Sequence, residues 1–191
     1  PLYKRDHRAN MPPDIVVAAL EKGSTNMTQS GAYRYYASKL RTQLGVSARY
    51  VDMQHTAPHT VSEKDNNVAF APWQKKTTHR GDNIKTKYFA TKHSRTGESW
   101  WGALMEYAPQ LAAAFPDMDF MYPKLDSTKT KFILSPASYS SVLSMFRHIL
   151  TVERVPSAIV NKMTLHSLRL WAAEMAFATN VPRDLRKYIG Q

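Results

Sequence analysis

Two kinds of apolar spacing divide this chain, and their order limits the folds open to it. Both ends carry helical spacing, and a short middle stretch carries the alternation of strands. Pro12-Pro13-Asp14 opens a helix through Ile15, Val16, Val17, Ala18, Ala19 and Leu20. Proline fits a first helical turn, and Asp14 suits the positive end of the helix dipole. Gly23-Ser24-Thr25-Asn26 ends that helix. A second helix runs from Ser30 or Gly31 to about Leu44, with Ala32, Tyr36, Ala37, Leu40 and Leu44 at helical intervals. Then the pattern changes. Asn67-Val68-Ala69-Phe70-Ala71-Pro72-Trp73 and Lys85-Thr86-Lys87-Tyr88-Phe89-Ala90 read as strands, joined through a basic turn at 75–83. Helical spacing returns at Ser99–Phe115, closed by Pro116-Asp117, and at Ser138–Leu150, where Tyr139, Val142, Phe146 and Ile149 share a face. Phe120-Met121-Tyr122-Pro123 reads as a short buried turn, 124–131 as a polar loop, and 156–162 as a connector into terminal helices. The expectation is a mainly helical domain over 12–191 with one small antiparallel sheet, preceded by a basic arm over 1–11.

The chain of 191 residues can bury a sizeable core. Its formal charge of +11 favours a polyanionic partner, most simply nucleic acid. The charge is clustered: from Lys75 to Arg95 there are seven basic residues against one acid, Asp82. Lys75, Arg80, Lys85, Lys87, Lys92 and Arg95 are therefore the candidate phosphate-binding surface. With no cysteine, disulfides, thiolate zinc sites and a thiol nucleophile are excluded. No run reaches the roughly 18 apolar residues of a membrane span. Pro58 between His55 and His59 argues against one helix presenting both to a metal. Neither a phosphate-binding glycine loop nor a dinucleotide fingerprint is present, so no cofactor is expected. Trp100, Trp101, Tyr107 and Phe115 are expected in the core rather than as stacking platforms for bases.

Chemistry concentrates in Thr164-Leu165-His166-Ser167-Leu168-Arg169. His166 and Arg169 lie three apart, so a helix puts both on one face. A guanidinium fork and an imidazole suit an oxyanion, above all a phosphate. Ala172, Ala173 and Ala176 follow, then the break Asn180-Val181-Pro182 and a short basic helix ending Tyr188-Ile189-Gly190.

This order resembles the H-x-x-R box of the tyrosine recombinases, the phage-integrase family, including those of eukaryotic mobile elements. The resemblance extends backward through nearly the whole chain. Leu40-Arg41 to Tyr50-Val51-Asp52 is similar to the family segment that bears the first essential arginine and leads into a strand. It implies Arg41 for that role, although Thr42, Gln43 and Leu44 stand where an acid usually follows. Trp73-Gln74-Lys75-Lys76-Thr77 resembles the hairpin that carries the family's lysine, which implies Lys76, with Lys75 as the alternative. The helices at 99–115 and 138–150 resemble those that precede the box.

What the resemblance implies is a catalytic set of Arg41, Lys76, His166 and Arg169 around one DNA phosphate. There a tyrosine attacks phosphorus to form a 3′-phosphotyrosine, with no metal. Ile189-Gly190 resembles the Leu-Gly that precedes the family's last His or Trp and, a helix later, the nucleophile. The sequence ends at Gln191, and Tyr188 sits in the wrong place, so this chain alone is expected to form no covalent adduct. The expected function is strand cleavage and rejoining by a DNA-binding integrase-like domain. The rival is a recombinase-derived, non-enzymatic subunit of a large ribonucleoprotein or organellar assembly. DNA is the favoured partner, with RNA as the alternative, together with a homo-oligomer on DNA or a larger assembly. The nucleus is the favoured compartment, with an organelle as the alternative.

Overall fold

The computed structural model describes residues 10–73 and 87–182. Helix α1 (Asp14–Thr25) and helix α2 (Gly31–Gly45) form the centre, joined by a turn in which Ser30 caps α2 by accepting the Tyr33 N–H. A capping serine offsets one of the free N–H groups of a first helical turn, worth about 1 kcal/mol. Helix α2 is surrounded on all sides. Its residues 35–44 are buried without exception, including Lys39, Arg41, Thr42 and Gln43. Around it lie α1, a helix α4 (Gly102–Ala114), a helix α5 (Tyr139–Val152) and the last described helix, α7 (Leu165–Ala178). Val16, Val17 and Leu20 of α1, Leu40 and Leu44 of α2, and Phe146 and Ile149 of α5 belong to one core. Each large apolar side chain fully buried there stabilises the fold by about 1.5–3 kcal/mol.

The sheet expected in the middle is present, with a strand more than expected. β1 (Ser62–Lys64), β2 (Asn67–Phe70) and β3 (Tyr88–Thr91) pair antiparallel in the order β1-β2-β3. Register is fixed by Val68 opposite Ala90 and Phe70 opposite Tyr88, whose rings stack at 5.2 Å. The strands are shorter than the sequence pattern suggested: Trp73 has left the sheet, while Thr91 has joined it.

Two local expectations are corrected and a third is refined. Residues 124–131 are not a plain loop. β4 (Pro123–Leu125) and β5 (Phe132–Pro136) form a second antiparallel ribbon across them. The Asp126 carboxylate makes that turn by accepting the Thr128 hydroxyl and the Thr130 and Lys131 N–H groups. The segment after Arg49 is not a strand start but a short helix, α3 (Tyr50–Gln54). The connector contains one helical turn, α6 (Ser157–Val160). Tyrosines bind these pieces to the centre. Tyr35 of α2 donates to the Met121 carbonyl at 3.0 Å, Tyr36 donates to the Pro123 carbonyl, and Tyr50 to that of Ala137. Trp100 is wholly buried, as expected. No helix among the described residues is long and apolar enough to cross a membrane.

Candidate nucleic-acid interface

Helix α7 presents the His-x-x-Arg pair as its spacing requires. Thr164 caps the helix by accepting the Ser167 N–H at 3.2 Å, and the Ser167 hydroxyl accepts the Thr164 N–H at 3.1 Å. This reciprocal box pins the first turn. Leu165 and Leu168, three apart, face the core. His166 and Arg169 follow each of them by one position and so occupy a neighbouring face, His166 exposed and Arg169 half-buried. The positive helix end lies under them.

The group on which the charge of Arg169 acts is Tyr88, the first residue of β3, and Asp52 and Arg49 act on the same phenol. The Tyr88 hydroxyl hydrogen-bonds the Asp52 carboxylate and senses the charges of Arg49 and Arg169. Burial, reinforced by Asp52 and opposed by the two guanidiniums, leaves the phenol pushed up to about 12. At neutral pH Tyr88 is therefore a protonated donor. Asp52 also accepts the backbone N–H of Arg49 at 3.1 Å, which holds this half-buried residue at the head of α3. Three elements far apart in sequence thus place the charges of two guanidiniums and one carboxylate within reach of one tyrosine. His166, three residues before Arg169, shares its face of α7.

Arg41 is elsewhere engaged. It is 2% exposed. Its Nε donates to Glu21 Oε1 at 2.9 Å and its Nη2 to the His93 carbonyl at 3.0 Å. Its guanidinium lies 4.9 Å from the Trp100 ring centre and 5.5 Å from that of Trp171. Trp171 is two positions beyond Arg169, about 200° round the helix at 3.6 residues per turn. Arg41 therefore meets the opposite side of α7 from Arg169, which corrects the expectation that the two line one open cleft. Glu21, wholly buried, also accepts the Ser94 and Thr96 hydroxyls and the Arg95 and Thr96 N–H groups. Burial alone would raise its pKa, but bonds from Ser94, Arg41 and Thr96 outweigh that and hold the carboxyl below its usual range.

The remaining basic candidates divide. Lys87 is exposed beside Tyr88. Lys92 is buried, ion-paired with Glu63 and set 5.1 Å from the Trp101 ring centre, so its charge is spent within the fold. Arg95 pairs with Asp14 at 2.6 Å and lies 5.7 Å from the Trp171 ring centre, although part of its side chain remains exposed. Lys75, Lys76, Arg80 and Lys85 lie outside the described residues, as do Tyr188, Gly190 and Gln191. In the sequence an acid is lacking just after Arg41, while Asp52 stands three residues after Arg49.

No family model matches this sequence, and no curated protein does. Solved structures do. The chain is similar to XerH site-specific recombinase bound to a palindromic difH substrate in a post-cleavage complex. The TM-score is 0.67 at 9% identity, over 100% of this chain and 48% of that one. It is also similar to XerH in a pre-cleavage complex with difH, with a TM-score of 0.61 at 8% identity over 96% of this chain and 47% of that one. The chain spans about half the length of these structures. What is shared is the fold: mainly helical with small antiparallel sheets, that of a tyrosine recombinase.

Proposed function

We propose that this chain binds duplex DNA, and that Arg49, His166 and Arg169 hold one backbone phosphate as the centre of a recombinase-type strand-transfer site. The single observation that carries the reading is that Arg49 and Arg169, from two distant elements, both act on Tyr88, which hydrogen-bonds Asp52. His166 shares the α7 face of Arg169, and the chain carries a net charge of +11, which favours a polyanion. The likeness in fold to a DNA-bound recombinase supports the same reading.

In this reading each residue has a distinct task. Arg49 and Arg169 hydrogen-bond the two non-bridging oxygens and take up charge as phosphorus becomes pentavalent. His166, exposed on the adjacent face, donates a further bond to the phosphate. Tyr88, protonated and bound to Asp52, orients the guanidiniums and does not attack. The reaction of the resembled family makes a bond from a tyrosine oxygen to phosphorus and breaks the bond to the 5′-oxygen, which leaves with a proton. Lys76 is the proposed donor of that proton. Lys87 meets neighbouring phosphates.

The test is a nicked duplex that traps a covalent intermediate. The full-length natural protein is expected to give an adduct resistant to denaturing electrophoresis, and Arg169→Ala and Arg49→Ala to abolish it. DNA binding that depends on both arginines without any adduct would replace the enzymatic reading by a recombinase-derived structural subunit. No binding at all would end both.

A further inference from the structure

We infer that Trp171 is a positioning residue for the phosphate site, seated on a pair of guanidiniums, Arg41 and Arg95, that Glu21 and its loop hold in place. The inference rests on the proposed role of Arg169.

The problem it solves is mechanical. Helix α7 has 14 residues, but its buried ones are Leu165, Ser167, Leu168 and Ala176. Between Leu168 and Ala176 it runs for nearly two turns with no fully buried side chain of its own. That is where Arg169 projects, and an arginine holds a phosphate in a fixed geometry only if its helix does not roll. Trp171, half-buried, is the large side chain that anchors this stretch. It meets Arg41 at 5.5 Å and Arg95 at 5.7 Å from its ring centre. Planar guanidinium groups stack well on an indole face.

These two cations are themselves immobilised. Arg41 is tied to Glu21 and to the His93 carbonyl. Arg95 is tied to Asp14 and, through its own N–H, to Glu21, while its Nη2 reaches Met175 Sδ on α7 at 3.8 Å. The segment 93–96 is thus a strap from α1 to α7, with Glu21 as its buckle. Because Trp171 is about 200° from Arg169 around the helix, seating the indole sets the direction in which Arg169 points. A displaced indole would let the helix rotate and carry the guanidinium away from Tyr88.

The experiment is a double-mutant cycle on duplex DNA binding, measured by fluorescence anisotropy on a labelled duplex of about 30 base pairs. Far-UV circular dichroism and thermal melting accompany each variant. Arg169→Ala is expected to weaken binding about tenfold. Trp171→Leu, which keeps apolar bulk but removes the ring face, is expected to weaken it about three- to tenfold with its secondary structure retained, and Trp171→Phe to restore most of the loss. Trp171→Leu combined with Arg169→Ala should bind no worse than Arg169→Ala alone, since a side chain that works through Arg169 has nothing left to position. If Trp171→Leu binds as the parent does, or the two losses simply add, the positioning role is overturned while the phosphate site stands. If Arg169→Ala itself changes nothing, the site and the positioning role fall together. Should Trp171→Leu not fold, Arg95→Met in the same cycle tests the same seat from the exposed side, with the same non-additivity expected and additivity overturning it.

Discussion

Replacing Lys39 with methionine should stabilise this protein and remove part of its pH dependence. Lys39 lies in the middle of α2 and is wholly buried. Its ammonium has Met121 Sδ at 2.8 Å and the Phe70 ring centre at 5.8 Å, and among the described residues it pairs with no carboxylate. A thioether is a weak acceptor. Burial accordingly pushes the amine well below the usual lysine range. A buried polar group without a good partner costs about 1–3 kcal/mol in mutational series, and methionine fills similar space with no charge and no donor. The expected gain for Lys39→Met at pH 7 is therefore about 1–3 kcal/mol. The sign of the pH effect follows from proton counting. An unfolded lysine keeps its proton up to about pH 10.4, whereas the folded one loses it at lower pH. Between those limits the unfolded chain carries the extra proton, so stability rises with pH by up to about 1.4 kcal/mol per unit. Above about pH 10 the trend reverses, because burial raises the phenols of Tyr33, Tyr35, Tyr36 and Tyr122, which keep protons that the unfolded chain gives up. Urea unfolding followed by tryptophan fluorescence at steps from about pH 7 to 9.5 reads the effect. The parent midpoint should climb across this range. The variant should start higher and stay flat, the gap narrowing toward pH 10. A variant less stable than the parent, or one with the same climb, would refute the reasoning.

Two other perturbations probe the packing that supports the site. Glu21→Gln leaves the buried Arg41 guanidinium without its charge partner and should cost about 3–5 kcal/mol in urea unfolding. Because the Glu21 carboxyl is held below its usual range, the stability it confers is complete above the unfolded value of about 4.3 and is lost as pH falls through the lower folded value, a loss the variant should not show. Gly31→Ala drives a methyl into the Tyr107 hydroxyl, on a ring that Arg34 also holds by a 3.1 Å hydrogen bond, and should cost about 1–3 kcal/mol in the same assay.

How much of this was legible in the sequence varies with the kind of signal. α1, α2 and α5 were readable because each buries side chains at helical intervals, and Ser30 and Ser138 cap their helices by local bonds. The β4–β5 ribbon was not, because 124–131 is polar and Phe132-Ile133-Leu134 does not alternate. Only the Asp126 turn and the tyrosine bonds from α2 and α3 make it a ribbon. α3 was hidden by its length. Five residues do not sustain a helix alone, and the bonds that hold it come from Asp52 and from Tyr50 against Ala137. The burial of Arg41 is the instructive case. Ala37, Arg41 and Leu44 are spaced by four and three, which puts Arg41 on a buried face of α2, and Asp52 stands at the spacing that Arg41 lacks. The placement of His166 and Arg169 on one helix face was legible, because the capping box and the Leu165–Leu168 pair both lie within the same six residues. That Tyr88 would come within the reach of the Arg169 charge was not written in the sequence, since it depends on where the register of β2 and β3 sets β3.

The measurement closest to the central claim is the salt dependence of duplex binding for single variants at Arg49, Arg169 and Arg41. Removing a cation that neutralises one phosphate should lower the slope of log affinity against log salt by about one. Arg49→Ala and Arg169→Ala are each expected to flatten the slope by about that amount, while Arg41→Lys, which keeps a cation beside Glu21, leaves the slope as it was. A slope that responds to Arg41 and ignores Arg49 and Arg169 would contradict the account.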